Sequence, residues 1–406
     1  MTGAGRSEYA DLWLLNPAVD FLNHGSCGAC PRPVLEAQQG WRDRMEAEPI
    51  NFLGRELPAL LDSARTILGA FVGADPDDLA FVANATAGVN TVLRSLRFQP
   101  GDELLANSHE YNASLNALRF AADRDGARVV MAQINFPIRD SGQVMEAILG
   151  RVTPRTKLAL LSHVTSPTAV VFPIAELVRE LGRRGIDTLV DGAHGPGMVP
   201  LDLEAIGAAY YTGNGHKWLS SPKGAAFLHV RRDRQAGIRP LVISHGANDP
   251  RTDHSRFRLD FDHWGTVDPT PFLAMGSAVE FLGSLMSDGW PGLFAANHAL
   301  ALAGRDVIAR DLGVQAPVGD DMIGSMAMVP LLRPGASPFA LSGAELNELL
   351  YREHRIEVPI YEWPAPAMQV EGSPPTRHFV RISAQRYNSL GQYERLAGIL
   401  RGIVGA

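Results

Sequence analysis

Cysteine is almost missing from this sequence: only Cys27 and Cys30 occur among 406 residues. That excludes a disulfide framework, and the single C-x-x-C lacks the second pair that a ribbon-type zinc site needs. Gly25, Gly28 and Pro31 crowd the pair into a loop rather than a strand-to-helix junction, so both thiols read as unpaired, in keeping with a reducing compartment. Long apolar runs are missing as well. None approaches the ~18 residues that a membrane span requires, and residues 1–12 carry Arg6, Glu8 and Asp11 where a signal peptide would be apolar. Positive charge is in deficit, with 37 Lys and Arg against 44 Asp and Glu. A net charge of −7 gives no electrostatic footprint for nucleic acid or an anionic membrane. These absences predict a cytoplasmic protein that binds neither nucleic acid nor membrane.

What is present is ordinary globular material, 46% hydrophobic and 20% charged, enough for a large core without staples. From about residue 55 to 270, short apolar runs alternate with amphipathic stretches. The runs are Leu79–Ala83, Glu103–Ala106, Arg128–Ala132, Lys157–Ser162, Thr188–Val190, Ala208–Thr212 and Ala225–Val230. Helical patterns such as Ala87–Leu96, Ser114–Asp123 and Ile174–Arg184 lie between them. This alternation predicts an α/β domain with a mainly parallel seven-stranded sheet covered on both faces. After residue 270 the texture changes. A helix is expected over Phe272–Met286, strands at Met326–Leu332, Ile356–Ile360 and Phe379–Ser383, and helices at Gly343–His354 and Gln392–Val404. The division predicted is an N-terminal segment, 1–30, packing near the small domain and the active site; a large domain, 31–270; and a smaller α+β domain, 271–406. The proline-rich run Pro364–Pro375 reads as a loop near a site.

In open sheets of this kind ligands bind beyond the carboxyl ends of the strands. After the first run comes N-A-T-A-G-V-N, with Thr86 and Ala87 opening a helix: a phosphate site by helix-terminus geometry, or a plain cap. After the second, His109 and Tyr111 offer flat rings to a planar ligand, or are simply loop aromatics. Ser166 follows the fourth run. Asp191 ends a buried strand, where an unpaired carboxylate is expensive, and His194 is three residues on. Lys217 lies in G-N-G-H-K-W between His216 and Trp218, where desolvation would lower its pKa and make it a nucleophilic amine. Asp191, His194 and His216 could instead hold a metal, but D-x-x-H is a loose pattern and the adjacent lysine would repel a cation; no metal is expected. A planar, phosphorylated cofactor needing a lysine on one side and a carboxylate on the other fits pyridoxal 5′-phosphate, whose aldehyde condenses with an amine and whose ring nitrogen works best protonated.

The motifs F-L-N-H-G-S-C-G-A-C-P (21–31), N-A-T-A-G-V-N (84–90), H-E-Y-N-A (109–113), S-H-V-T-S-P-T (162–168), V-D-G-A-H-G-P (190–196), G-N-G-H-K-W (213–218) and W-G-T-V-D-P (264–269) resemble the class V aminotransferase family, and within it the isopenicillin-N epimerase-like group. The resemblance spans almost the whole chain, in order. It implies a fold-type-I enzyme with pyridoxal 5′-phosphate on Lys217 and Asp191 beside the ring nitrogen. It places His194 near the ring 3-oxygen, and Thr86, the Ala87 amide, Asn214 and His216 at the phosphate. Tyr111, with His109 as alternative, would stack on the ring. Thr266 matches a threonine that reaches the partner subunit's phosphate, which implies a homodimer with shared sites. Arg381 matches the arginine that clamps a substrate α-carboxylate, and Ser26 and Cys27 border the substrate pocket.

Two departures bear on activity. No cysteine occurs between Ala340 and Arg381, where cysteine desulfurases of this family carry their nucleophile, and Cys27 stands where phenylalanine is expected in G-S-F-G. The expected activity is therefore at Cα of an amino acid or similar small molecule, epimerase- or racemase-like, with Lys217 as general base. The alternatives are a C–S or other β-lyase, then an aminotransferase, then a cofactor-binding protein without turnover.

Overall fold

The computed structural model describes residues 5–333, 341–365, 369 and 373–405. Its strands, among the described residues, are β1 (Asp20–Phe21), β2 (Leu79–Val82), β3 (Glu103–Asn107), β4 (Arg128–Ala132), β5 (Thr156–Ser162), β6 (Asp187–Asp191), β7 (Tyr210–Asn214), β8 (Ala226–Val230), β9 (Met326–Pro330), β10 (Ile356–Glu357), β11 (Ile360–Trp363) and β12 (Arg377–Ser383).

Seven of them form one mixed sheet in the order β2-β8-β7-β6-β5-β3-β4. The pairs from β4 across to β7 are parallel, and β8 runs antiparallel to both its neighbours. β2 therefore points the same way as β7, and its carboxyl end joins those of β3, β5, β6 and β7 at one edge. The chain reverses its direction of travel across the sheet between β3 and β5, the place where such sheets bind ligands.

Alternate residues of each strand enter two different apolar clusters. In β5, Ala159 and Leu161 face one cluster while Leu158 and Leu160 face the other. Both faces are thus buried, which is why the strands read as unbroken apolar runs rather than as alternating ones. The helix Ala85–Ser95 lies very close to β7. A Cβ on Gly88 would come within 2.1 Å of Thr212 Oγ1, so only glycine permits this approach.

A smaller antiparallel sheet, β11-β12-β9, follows, packed by the helices Trp290–Leu312 and Gly343–His354, with Leu390–Val404 lying against the first of these. Two sequence expectations are corrected here. The helix expected over Phe272–Met286 is broken at Ala274 into Thr270–Leu273 and Met275–Gly283. The run Ile356–Ile360 splits into β10 and β11 around Pro359, which has no N–H to give to a ladder. Of the proline-rich run 364–375, residues 366–368 and 370–372 lie outside the described residues.

The N-terminal segment is sewn into this part of the molecule. β1 pairs with β10, Ser383 N–H donates to the Leu22 carbonyl, and Trp13 packs edge-on against Tyr387. The segment then reaches the sheet edge, where Gly28 adopts φ +67° against the Lys217 backbone. A Cβ there would stand 2.0 Å from the His216 carbonyl oxygen.

Candidate active site

The carboxyl edge of the large sheet holds a partly open cavity, at the place where sheets of this kind bind ligands. Its lining brings together Ser26, Thr86, Tyr111, Ser166, Asp191, His194, Asn214, His216 and Lys217, contributed by the loops after five strands and by the N-terminal segment.

On one wall, the helix beginning at Ala85 presents its N-terminus. Asn84 caps it, accepting the Ala87 N–H at 2.8 Å, and Asn214 accepts the Ala85 N–H at 2.8 Å. The Ala87 amide expected to meet a phosphate is thus already taken by its own cap. That leaves the Thr86 amide and hydroxyl as the first-turn donors facing the cavity. His216 adds an imidazole whose Nδ1 is buried without a partner, its pKa pushed down to about 4 by burial and by Lys217. An unpartnered buried ring nitrogen beside the first turn of that helix suits an anion that donates or accepts a proton.

On the floor, Asp191 is 4% exposed. Ser114 Oγ donates to its Oδ2 at 2.6 Å and Ala193 N–H to its Oδ1 at 3.1 Å. Among the described residues no cation pairs with it. Behind it, Glu110 is fully buried, accepts from Ser162 N–H at 3.0 Å and contacts Ser162 Oγ and Asn107 Nδ2. Burial, then the nearby Asp191 charge, push its pKa up to about 8. Glu110 therefore keeps its proton at neutral pH. Sequence reasoning passed over it although it sits inside H-E-Y-N.

Lys217 Nζ, also in the lining, lies 3.0 Å from His194 Nε2. Burial and the Arg381 charge bring its pKa down to about 8, so an appreciable share is free amine near neutrality. Lys223, by contrast, donates to the Gly28 carbonyl at 3.1 Å and does not line the cavity.

Arg381 is completely buried at the rim. Its guanidinium donates to the Ser166 carbonyl and, at 2.9 Å, to Ser26 Oγ, and lies over the Tyr361 ring, while Nε has no partner. Among the described residues no carboxylate meets it. A buried cation satisfied only by neutral acceptors is short of an anion.

Three expected residues lie elsewhere. His109 is fully buried beside the cavity, its ring nitrogens bonded to Thr168 Oγ1 and the Ile134 carbonyl at 2.8 Å each and its faces packed by Phe136, Phe172 and Trp363. It is not a cavity ring, which leaves Tyr111, 44% exposed, as the aromatic at that edge. Cys27 is exposed at the end of the short helix His24–Cys27, next to Ser26, outside the lining. Thr266 is exposed in a separate groove with Trp264 and Phe272. Cys30 is buried, with its thiol pushed up to about 12 by burial. Among the described residues no group of three His, Cys, Asp or Glu is placed to hold a metal ion, and no helix is long and apolar enough to cross a membrane.

A lysine amine, an uncompensated carboxylate and a helix N-terminus converging at the edge of such a sheet define a pyridoxal-phosphate site of the fold-type-I kind, and the residues present fit that group. A family model described as aminotransferase class-V matches residues 21–288. The chain is 35% identical over 403 residues to isopenicillin N epimerase of Amycolatopsis lactamdurans, covering 95% of this chain and 96% of that protein. It is 31% identical to a probable chloroplastic L-cysteine desulfhydrase of Arabidopsis thaliana, covering 96% and 84%. Among solved structures, the apo cysteine desulfurase of Thermococcus onnurineus NA1 superposes with a TM-score of 0.80 over the full length of both chains at 19% identity, which speaks for the fold. The chain belongs to the class-V aminotransferase family; it is an enzyme, and its cofactor is pyridoxal 5′-phosphate.

Proposed function

We propose that this enzyme is a lyase that eliminates a leaving group, sulfur-bonded in the first instance, from Cβ of a small α-amino acid. The observation that carries this reading is the protonation pattern of the cavity. Burial brings Lys217 down to about 8, while the His194 and His216 imidazoles are pushed well down and the Tyr111 phenol up. One proton-moving group suits elimination, which needs a base for Cα and an acid for the leaving group in succession. Inversion by two bases would need a second poised group on the opposite face.

The bound cofactor supplies an electron sink for the carbanion at Cα. Lys217 would hold the cofactor through its aldehyde and, as a free amine, would take the Cα proton as general base. The Cβ–S bond breaks with its electron pair leaving on sulfur, and the Lys217 ammonium returns a proton to it. For cysteine the balance is cysteine plus water to pyruvate, ammonia and hydrogen sulfide. Asp191 would keep the ring nitrogen protonated, Tyr111 would lie against the ring, and Thr86, His216 and Asn214 would hold the phosphate end. Arg381 and Ser26 take the α-carboxylate, for which a planar guanidinium is suited. Thr266 would serve the site of a second copy: it is exposed in a groove separate from the one lined by Lys217.

Epimerisation is the second reading, favoured by the relatives named isopenicillin N epimerase at 35% and 34% identity. Incubation with L-cysteine and other β-substituted amino acids in deuterated water separates the two. Pyruvate with ammonia supports the lyase. Deuterium at Cα with mixed stereochemistry and no pyruvate supports the epimerase and removes the lyase. A cofactor absorbance that no amino acid disturbs removes both. Sedimentation of the holoenzyme tests the homodimer.

A further inference from the structure

Trp218 follows Lys217 directly and is completely buried among Val164, Ala169, Met198 and Met326, with the His24 ring 4.8 Å from its own. Its indole N–H points at His194 Nδ1 across 3.1 Å. An indole nitrogen can only donate. Nδ1 must therefore offer its lone pair, and a neutral imidazole, having one proton, must carry it on Nε2. Nε2 is the atom 3.0 Å from Lys217 Nζ. Two donors cannot face each other there, so the arrangement is satisfied when the lysine nitrogen presents a lone pair, as the free amine does.

The main chain of Lys217 is held by a second imidazole. Its carbonyl, an acceptor only, sits 2.9 Å from His24 Nε2, so His24 also carries its proton on Nε2, and the Tyr387 hydroxyl donates to His24 Nδ1 at 2.9 Å. Burial, with Lys217 and Arg381 close by, keeps His194 from taking a second proton.

Building on the reading of Lys217 as the cofactor-bonding amine, we propose that Trp218 is a positioning residue that locks His194 in the Nε2–H tautomer, making it a fixed hydrogen-bond donor to the lysine nitrogen and holding Lys217 in its nucleophilic form. Without the indole N–H, His194 is free to move its proton to Nδ1 and accept from an ammonium, which stabilises the charged lysine. A histidine at this place is a dependable donor only because of the residue that follows the lysine.

The test uses three measurements. In the holoenzyme labelled with ¹⁵N-histidine, the His194 signals, assigned by their loss in His194→Gln, should show the proton on Nε2; a proton on Nδ1 overturns the proposal, and this arm needs no Trp218 variant. In cofactor-stripped protein, the pH dependence of Lys217 acetylation, read by peptide mass spectrometry, should have its midpoint near 8. In Trp218→Phe that midpoint should rise by about one unit, ~tenfold less free amine at neutral pH. In a His194→Ala background, Trp218→Phe should move it no further. An unchanged midpoint in folded Trp218→Phe, or an equal rise with and without His194, overturns the lock. Borohydride reduction with pyridoxal phosphate addresses the underlying reading separately. Failure to mark Lys217 in the wild type removes its role with the cofactor, while the acetylation profile still reports on the tautomer.

Discussion

Ser114 Oγ donates a 2.6 Å hydrogen bond to Asp191 Oδ2, joining the first turn of the helix Asn112–Asp125 to the carboxylate that ends β6. With the Ala193 N–H on the other oxygen, the carboxylate is aimed before any ligand arrives. Asp191→Asn keeps the shape and loses the charge that, in the proposed function, would keep a ring nitrogen protonated. Cofactor should still bind, while turnover should fall by ~10²–10³, the usual cost of deleting one preorganised electrostatic partner. Steady-state rates with cofactor content measured in parallel decide it; near wild-type turnover would take Asp191 out of the mechanism.

Glu110 gives a prediction with the opposite electrostatic sense. Its carboxyl is raised to about 8 in the folded protein, against an ordinary value near 4.3. The native state therefore holds a proton that the unfolded chain has lost between those values, and the stability Glu110 contributes is full below about 4.3 and disappears as pH rises through 8. Glu110→Gln mimics the protonated acid and lacks this dependence. Denaturant titrations from pH 5 to 9 should show the variant gaining on the wild type steadily as pH rises. Parallel curves would mean that Glu110 is not protonated in the native state.

Acid sensitivity should come from the buried imidazoles. His24 is pushed down to about 3, and His109, His163, His216 and His229 to about 4, each chiefly by burial. Unfolded, each takes its proton near 6.5. Between pH 6.5 and 4 the unfolded chain thus binds more protons than the native one, and stability falls on acidification by up to ~1.4 kcal/mol per pH unit per histidine. Thermal midpoints should drop steeply from pH 7 to 5. His229→Gln, remote from the cavity, should flatten that slope by about one proton; an unaltered slope would place the titration elsewhere.

The parts of this molecule that could be read from its sequence are those whose burial is uniform. β5 and its neighbours are covered on both faces, so their apolar runs stand out, and the residues that follow them fall at the sheet edge by topology alone. The helix Trp290–Leu312 did not stand out. Alanine and glycine fill much of its length, and buried Asn297 and Arg305 interrupt the apolar stripe. His109 looked like a ring for a ligand because its own packing partners, Phe136, Phe172 and Trp363, arrive from distant segments. Glu110 drew no notice, because the Ser162 amide that meets it arrives on β5, 52 residues along the chain. The pairing of Trp218 with His194 depends on β6 and β7 being neighbours in the sheet, which no local spacing reveals.

Arg381 tests the substrate class. A completely buried guanidinium that meets only the Ser166 carbonyl, Ser26, Asn23 and the Tyr361 ring carries a desolvated charge awaiting an anion. The α-carboxylate is the one group common to every substrate considered. Arg381→Ala should leave the absorbance of the bound cofactor unchanged and weaken carboxylate-bearing substrates by ~2–5 kcal/mol, the range for removing one member of a buried charge pair. Arg381→Lys should recover only part of this, because an ammonium lacks the planar fork. The same variants assayed with the corresponding decarboxylated amines should lose far less. Equal losses for acid and amine would show that Arg381 holds β12 to the N-terminal segment through Ser26 and Asn23 rather than holding the substrate.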